Sequence, residues 1–194
     1  MSRMPAHRLF DAIVIGASAG GVMALQALLS HLPAALPMPV LAVLHLPRDH
    51  TSHLAALMDA RCALPVREAD DKQPLRAGTV TLAPPDYHLL VETRDSLALS
   101  MDAPVLFSRP AIDPLFESAA DVFAERLLAI LLTGASSDGS AGMAAVRAAG
   151  GTAWIQLPDD AASPLMPASA LAHAGADAVL TLQAICSRLE AFHP

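Results

Sequence analysis

The sequence predicts an α/β domain: a doubly wound, mainly parallel sheet with helices on both faces and a small antiparallel ribbon. Three observations carry that reading. Apolar runs of strand length alternate with segments of helical period, as in a parallel sheet crossed by helices. The runs are continuous, which strands buried on both faces require. Hydrophobic residues make up 54% of the 194 and charged residues only 16%, a balance that excludes a disordered chain. The length is that of one ordinary domain with a real core. No repeat, low-complexity tail or linker interrupts it, so 1–194 is read as one domain.

The elements follow in order. Residues 12–15 (AIVI) read as a buried strand, and 21–32 as the helix after a turn rich in Gly and Ala. Residues 40–44 are a second buried strand. A turn at 47–50 leads to a helix over 52–61, with Ser52 as its cap. The middle differs. Residues 78–83, 88–92 and 97–101 look like short strands, joined by the turns "APPDYH" and "TRDS". They are read as an antiparallel ribbon inserted in, or attached to, the edge of the sheet. A long amphipathic helix over 112–126 returns to a strand at 127–132. Helix 140–149 and strand 152–156 come next. Helix 167–174 carries Pro167 in its first turn. Strand 178–182 and helix 183–192 close the chain.

Several function classes fall away on composition. The net charge is −7 and no Lys/Arg cluster offers phosphates a landing strip, which argues against nucleic acid. Cys62 and Cys186 show neither metal-ligand spacing nor a disulfide framework, and read as two reduced thiols. Residues 12–47 contain no Asp, Glu, Lys or Arg, which raises a membrane span or signal peptide. Gly16, Gly20, Gly21, Pro33, Pro37 and Pro39 break that stretch into strand, helix, loop and strand instead.

Ligands of open parallel sheets bind at the carboxyl ends of the strands. The first strand is followed by "GASAGG" with Ser18, the second by "HLP" with His45, and the strand at 127–132 by "TGASSDGSAG" with Asp138. One crevice can gather all three. A serine hydroxyl is a weak nucleophile until a neutral imidazole takes its proton. A buried carboxylate on the other ring nitrogen fixes the tautomer and stabilises the imidazolium. Backbone N–H groups at a Gly-rich turn can hold the developing oxyanion. Residues 16–20 also match the G-x-S-x-G elbow, a strained strand-to-helix turn. The chain order Ser, His, Asp differs from the Ser, acid, His of α/β-hydrolases, for which His173 would have to replace His45.

Two other readings of these loops stand beside it. A Gly-rich turn into a helix can hold a pyrophosphate, but Ser18 occupies the second glycine position of that fingerprint. No acidic residue ends the second strand, where the ribose would be bound. The other reading is a plain Gly/Ser loop in which Asp138 caps a helix. His50 and His53 lie near His45, yet no Cys or carboxylate completes a metal-ligand set at that spacing.

Taken together, "IGASAGG", "HLP", "APPDYH", "SRPAIDPLFES", "LTGASSDGSAGM" and "MPASAL", in this order, resemble the catalytic domain of the chemotaxis protein-glutamate methylesterases, the CheB family. The likeness runs from about residue 12 to 182. It implies a doubly wound α/β fold and hydrolysis of glutamate methyl esters on chemoreceptors, with release of methanol. It also implies deamidation of receptor glutamines, a cytoplasmic setting and no cofactor or metal. By the same resemblance Ser18 is the nucleophile, His45 the general base and Asp138 its orienting carboxylate. The Ala135 amide falls at an oxyanion position, and the Ala19 amide is a further candidate. Arg109 is read either as a contact to an acidic receptor segment or as an ion pair holding the ribbon to the helix. Asp113 reads as a helix cap, His88 as structural, and Met143 and Met166 as packing.

The chain departs from the family at four positions. Ala19 stands for the usual Thr, Ala135 for Met, Leu44 for Gln and Ser108 for His. The family's N-terminal receiver domain has no room before a first strand at residue 12. The expectation is a stand-alone esterase, either constitutively open or controlled by a separate response regulator. The alternative class is a non-catalytic receptor- or regulator-binding relative of the same fold.

Overall fold

The computed structural model describes residues 10–45 and 53–192. Seven parallel strands form the central sheet, in the order β3-β4-β2-β1-β7-β8-β9. They are β1 (Ala12–Ala17), β2 (Val40–Leu44), β3 (Val66–Glu68), β4 (Val80–Leu82), β7 (Leu127–Leu131), β8 (Thr152–Gln156) and β9 (Ala178–Leu180). Strands β5 (His88–Thr93) and β6 (Ser96–Ser100) pair antiparallel as a separate ribbon. The helices are α1 (Gly21–Ser30), α2 (Leu54–Asp59), α3 (Ile112–Phe123), α4 (Ser140–Ala148), α5 (Leu165–Ala174) and α6 (Leu182–Glu190).

The two-residue period of a strand sorts each apolar run between two cores. Ile13 and Ile15 of β1 face one side with Val40 and Ala42 of β2, beneath Leu25 and Leu28 of α1, Met58 of α2 and Ile185 of α6. Ala12 and Val14 face the other side with Leu41, Val43, Ala129 and Leu131. There they meet Leu115 and Phe116 of α3, Met143 of α4, Met166 of α5, and Leu89 and Leu97 of the ribbon. All of β1, β2 and β7 is buried.

The chain winds outward from β1 through β2 on one side. It returns through the ribbon and α3 to β7 on the other. The strand order therefore reverses between the parallel neighbours β1 and β7, which pair Ala12↔Leu127 through Gly16↔Leu131. That crevice is where an open α/β sheet binds ligands. Gly16 lets α3 close over it, since a Cβ there would lie 2.6 Å from Ile112 Cγ2.

The parallel sheet, the helices on both faces and the ribbon agree with the sequence. The middle of the chain needs correction. Residues 80–82 are no part of the ribbon: β4 lies inside the parallel sheet, between β2 and the edge strand β3, which the sequence reading missed. Three residues are too few to show a period. The ribbon packs on α3, where the Val91 N–H donates to Ser118 Oγ at 3.0 Å, rather than extending a sheet edge. The helix expected over 112–126 ends at Phe123, and a 3₁₀ turn, Ala124–Arg126, leads into β7. Strand β9 stops at Leu180 because Thr181 caps α6, its hydroxyl accepting the Ala184 N–H at 3.2 Å. The expected turn at 47–50 and the Ser52 cap lie outside the described residues. No helix among the described residues is long and apolar enough to cross a membrane.

Phe116 is fully buried at the centre of the α3 interface. Phe116→Ala is expected to lower unfolding free energy by about 3–5 kcal/mol, the usual range for a truncated core aromatic. Denaturant unfolding checks this; a loss below about 1 kcal/mol would mean that the α3 interface collapses into the vacated space.

Candidate active site

Ser18, His45 and Asp138 each follow a strand that borders the crevice or its neighbour. Ser18 leaves β1 with its N–H donated to the Thr133 carbonyl at 2.9 Å, while its own carbonyl accepts the Gly21 N–H at 2.7 Å. The turn into α1 then needs a left-handed residue, and Gly20 supplies it at φ 76°. Ser18 is not among the positive-φ residues. The strained serine of the elbow motif is therefore not seen; the strain-prone position has passed to a glycine. Gly134 permits the second loop to press against the first, since a Cβ there would lie 2.9 Å from Ser18 Cβ and 2.6 Å from Met166.

His45 Nδ1 lies 3.1 Å from Ser18 Oγ, and its Nε2 lies 2.7 Å from Asp138 Oδ2. An ionised carboxylate only accepts, so Nε2 carries the proton. Nδ1 is then the bare acceptor facing the serine hydroxyl. The imidazole is mostly covered and the Asp138 carboxylate wholly so.

A buried carboxylate must be compensated. Burial pushes the Asp138 pKa up. The hydrogen bond from His45 and those from the Ile112 and Asp113 N–H groups outweigh it and hold the carboxyl below its ordinary value. Ile112 N donates to Oδ2 at 2.6 Å, Asp113 N to Oδ1 at 3.0 Å, and Gly139 N to Oδ1 at 2.9 Å. Helix α3 has no cap from its own flanking side chain. Asp138, reaching in from the loop before α4, satisfies its first amides and faces its positive end.

The amides of Ala19 and Ala135, next in sequence to Ser18 and Gly134, are the candidate oxyanion donors. Among the described residues, neither the Ala19 nor the Ala135 N–H is given to a carbonyl. Both residues are exposed at the tips of the two loops that meet at Ser18. Thr133 holds these loops in place. Its hydroxyl donates to the Ala19 carbonyl at 2.8 Å and accepts the Ser163 N–H at 2.8 Å. The Thr133 N–H donates in turn to Gln156 Oε1 at 2.9 Å. Sequence reasoning missed Thr133 and Gln156. Their signal was a polar residue at the carboxyl end of an otherwise apolar strand.

Arg109 has the geometry of the ion-pair reading. Its Nε and Nη2 donate to Asp86 Oδ1 at 3.1 and 2.8 Å, and Nη1 donates to the Met101 and Asp102 carbonyls. Four of the five guanidinium N–H donors are thus engaged inside the fold. His88 is buried; its Nε2 lies 3.1 Å from the Ala103 carbonyl, while Nδ1 accepts the Ala111 N–H at 3.2 Å. Met143 and Met166 are fully buried. Asp113 caps α4 rather than its own helix, accepting the Gly139 and Gly142 N–H groups. The described residues hold no cluster of three or more His, Cys, Asp or Glu able to bind a metal. His50 lies outside them.

Known proteins share both sequence and fold. The profile of the family described as CheB methylesterase matches residues 13–189. A putative protein-glutamate methylesterase/protein-glutamine glutaminase of Leptospira interrogans is 39% identical over 176 residues, 91% of each chain. A protein-glutamate methylesterase/protein-glutamine glutaminase of Symbiobacterium thermophilum is 45% identical over 147 residues, which are 76% of this chain and 40% of that longer protein. The crystal structure of the Thermotoga maritima CheB methylesterase catalytic domain superimposes with a TM-score of 0.88 at 31% identity, covering 93% of this chain and 97% of that one.

The geometry makes Asp138 a structural residue as well. Asp138→Ala would strand the Ile112 and Asp113 amides in a buried site. Each lost partner costs about 1–3 kcal/mol, so a fall of about 2–6 kcal/mol in unfolding free energy is expected. Denaturant unfolding at neutral pH measures it, and an unchanged midpoint would show that other groups cap α3.

Proposed function

Because the chain belongs to the CheB methylesterase family, we propose that it is a serine hydrolase that demethylates glutamate methyl esters on chemoreceptors. The observation that carries the proposal is the chain of hydrogen bonds from Ser18 Oγ through His45 to Asp138. Ser18 Oγ attacks the ester carbonyl as His45 Nδ1 takes its proton. Asp138 holds the Nε2–H and faces the imidazolium that forms. The carbonyl oxygen, now an oxyanion, is received by the Ala135 and Ala19 amides. The tetrahedral intermediate collapses, the C–O bond to the methoxy group breaks, and His45 returns the proton to give methanol. Water then enters by the same route, cleaves the acyl-enzyme and frees the glutamate carboxylate and Ser18. With a glutamine side chain the leaving group is ammonia, so the same residues serve a glutaminase.

On this reading the partners are the cytoplasmic segments of methylated receptors, and no cofactor takes part. The methyl group and its carbon chain are uncharged. An acidic substrate tail has little to gain from Arg109, whose donors are already engaged. Recognition falls instead to the exposed amides and to the loop tips that carry them. A separate response regulator would control access to these loops.

The test is methanol release from methylated receptor membranes. Ser18→Ala is expected to lower kcat a thousandfold or more, roughly the loss on removing a nucleophile that acts with its base as a unit. The circular dichroism spectrum should be unchanged, since among the described residues Ser18 Oγ hydrogen-bonds only His45. Release by folded Ser18→Ala at the wild-type rate would sink the proposal. No release from either folded protein would point to the binding relative instead.

A further inference from the structure

Asp113 and Asp138 cap each other's helices. Asp138, just ahead of α4, takes the first amides of α3. Asp113, in the first turn of α3, takes the Gly139 N–H at 2.9 Å and the Gly142 N–H at 2.7 Å, at the start of α4. Gly139 gives its single N–H to both carboxylates. Two acidic groups therefore lie against one another, with the imidazole of His45 beyond them.

That arrangement works against the fold. Burial, followed by the charges of Asp138 and Glu117, raises the Asp113 pKa from 3.8 to about 6, despite the Gly142 and Gly139 amides. A carboxyl whose pKa is higher folded than unfolded lends stability at low pH, and that stability is lost as pH rises through about 6. At neutral pH the ionised Asp113 is a net cost. Asp113 is itself buried. It lines a cleft of about 320 Å³ with Leu106, Ser137, Ser140, Ser169 and His173. The buried Ser140 hydroxyl has no hydrogen-bond partner among the described residues. The titratable groups facing Asp113 are Asp138 from the loop before α4, Glu117 one turn along α3, and His173 across the cleft on α5.

We propose that Asp113 is a positioning residue for the hydrolase: its ionised carboxylate locks the Asp138 loop onto α3 and sets a second negative charge behind the Asp138–His45 pair. The inference rests on the triad reading above. The charge opposes folding but favours the imidazolium that forms as Ser18 attacks, so it acts in the transition state. A residue that only capped α4 would do the reverse and favour the fold.

Asp113→Asn separates the two roles. The amide oxygen can still accept from Gly139 and Gly142, and only the charge is lost. At pH 7.5 the variant is expected to melt at or above the wild-type temperature. Its kcat for methanol release should fall about tenfold with KM unchanged, a loss of the size one electrostatic contact supplies. The wild-type inflection near the Asp113 ionisation should vanish from its pH–kcat profile, and its stability should depend less on pH between 4 and 6. An unchanged kcat and profile would overturn the inference. So would a kcat that falls only together with the melting temperature, which marks a plain cap. Ser18→Ala in the same assay keeps the two readings apart: if it is inactive while Asp113→Asn matches wild type, the triad stands and the role of Asp113 fails.

Discussion

The carboxylate of Asp138 is the constraint on which the rest of the site depends. It is fully buried, and a buried charge persists only where every lone pair is used. Its partners come from three places: His45 after β2, Ile112 and Asp113 at the head of α3, and Gly139 at the head of α4. Displacing any of those elements removes part of that compensation. The position of the imidazole is therefore set by the docking of two helices onto the sheet, and the loops alone do not decide it.

The sheet supplies the other half of the arrangement. Because its strand order reverses between β1 and β7, the loops after these strands diverge and leave a crevice. β2 lies beside β1, and its end delivers His45 to the same rim. Gly16 and Gly134 are two of the positions where a side chain would hold the layers apart. Their absence of side chains brings α3 down onto β1 and the loop after β7 against Ser18.

Much of this was legible in the sequence. Continuous apolar runs such as AIVI and VLAVL marked the buried strands, and the loops that follow them held Ser18, His45 and Asp138. The middle of the chain was harder. β3 and β4 have three residues each, too short for any period to show, and which strand they pair with is fixed by contacts distant in sequence. The partners of Arg109 were likewise hidden, because the chain brings Asp86 beside it only after the ribbon has folded back. Reciprocal capping was invisible for a different reason. Sequence rules look for a cap beside the helix it serves, whereas Asp113 and Asp138 lie 25 or more positions from the amides they accept on the other's helix.

The separation of these residues along the chain also bears on how the protein is made. Ser18 and His45 leave the ribosome early, whereas Asp138 follows 93 positions after His45. Domains generally fold as units during synthesis, and contacts of such long range form late. Until the loop before α4 has emerged and docked, the pairing of β2 with β1 brings His45 beside Ser18, but no carboxylate holds its Nε2. A nascent or truncated chain thus carries Ser18 as an ordinary alcohol, inert toward the esters and amides of its surroundings. On the triad reading proposed above, reactivity arrives only once the long-range contact between His45 and Asp138 has formed, so the fold acts as the safety catch of its own chemistry.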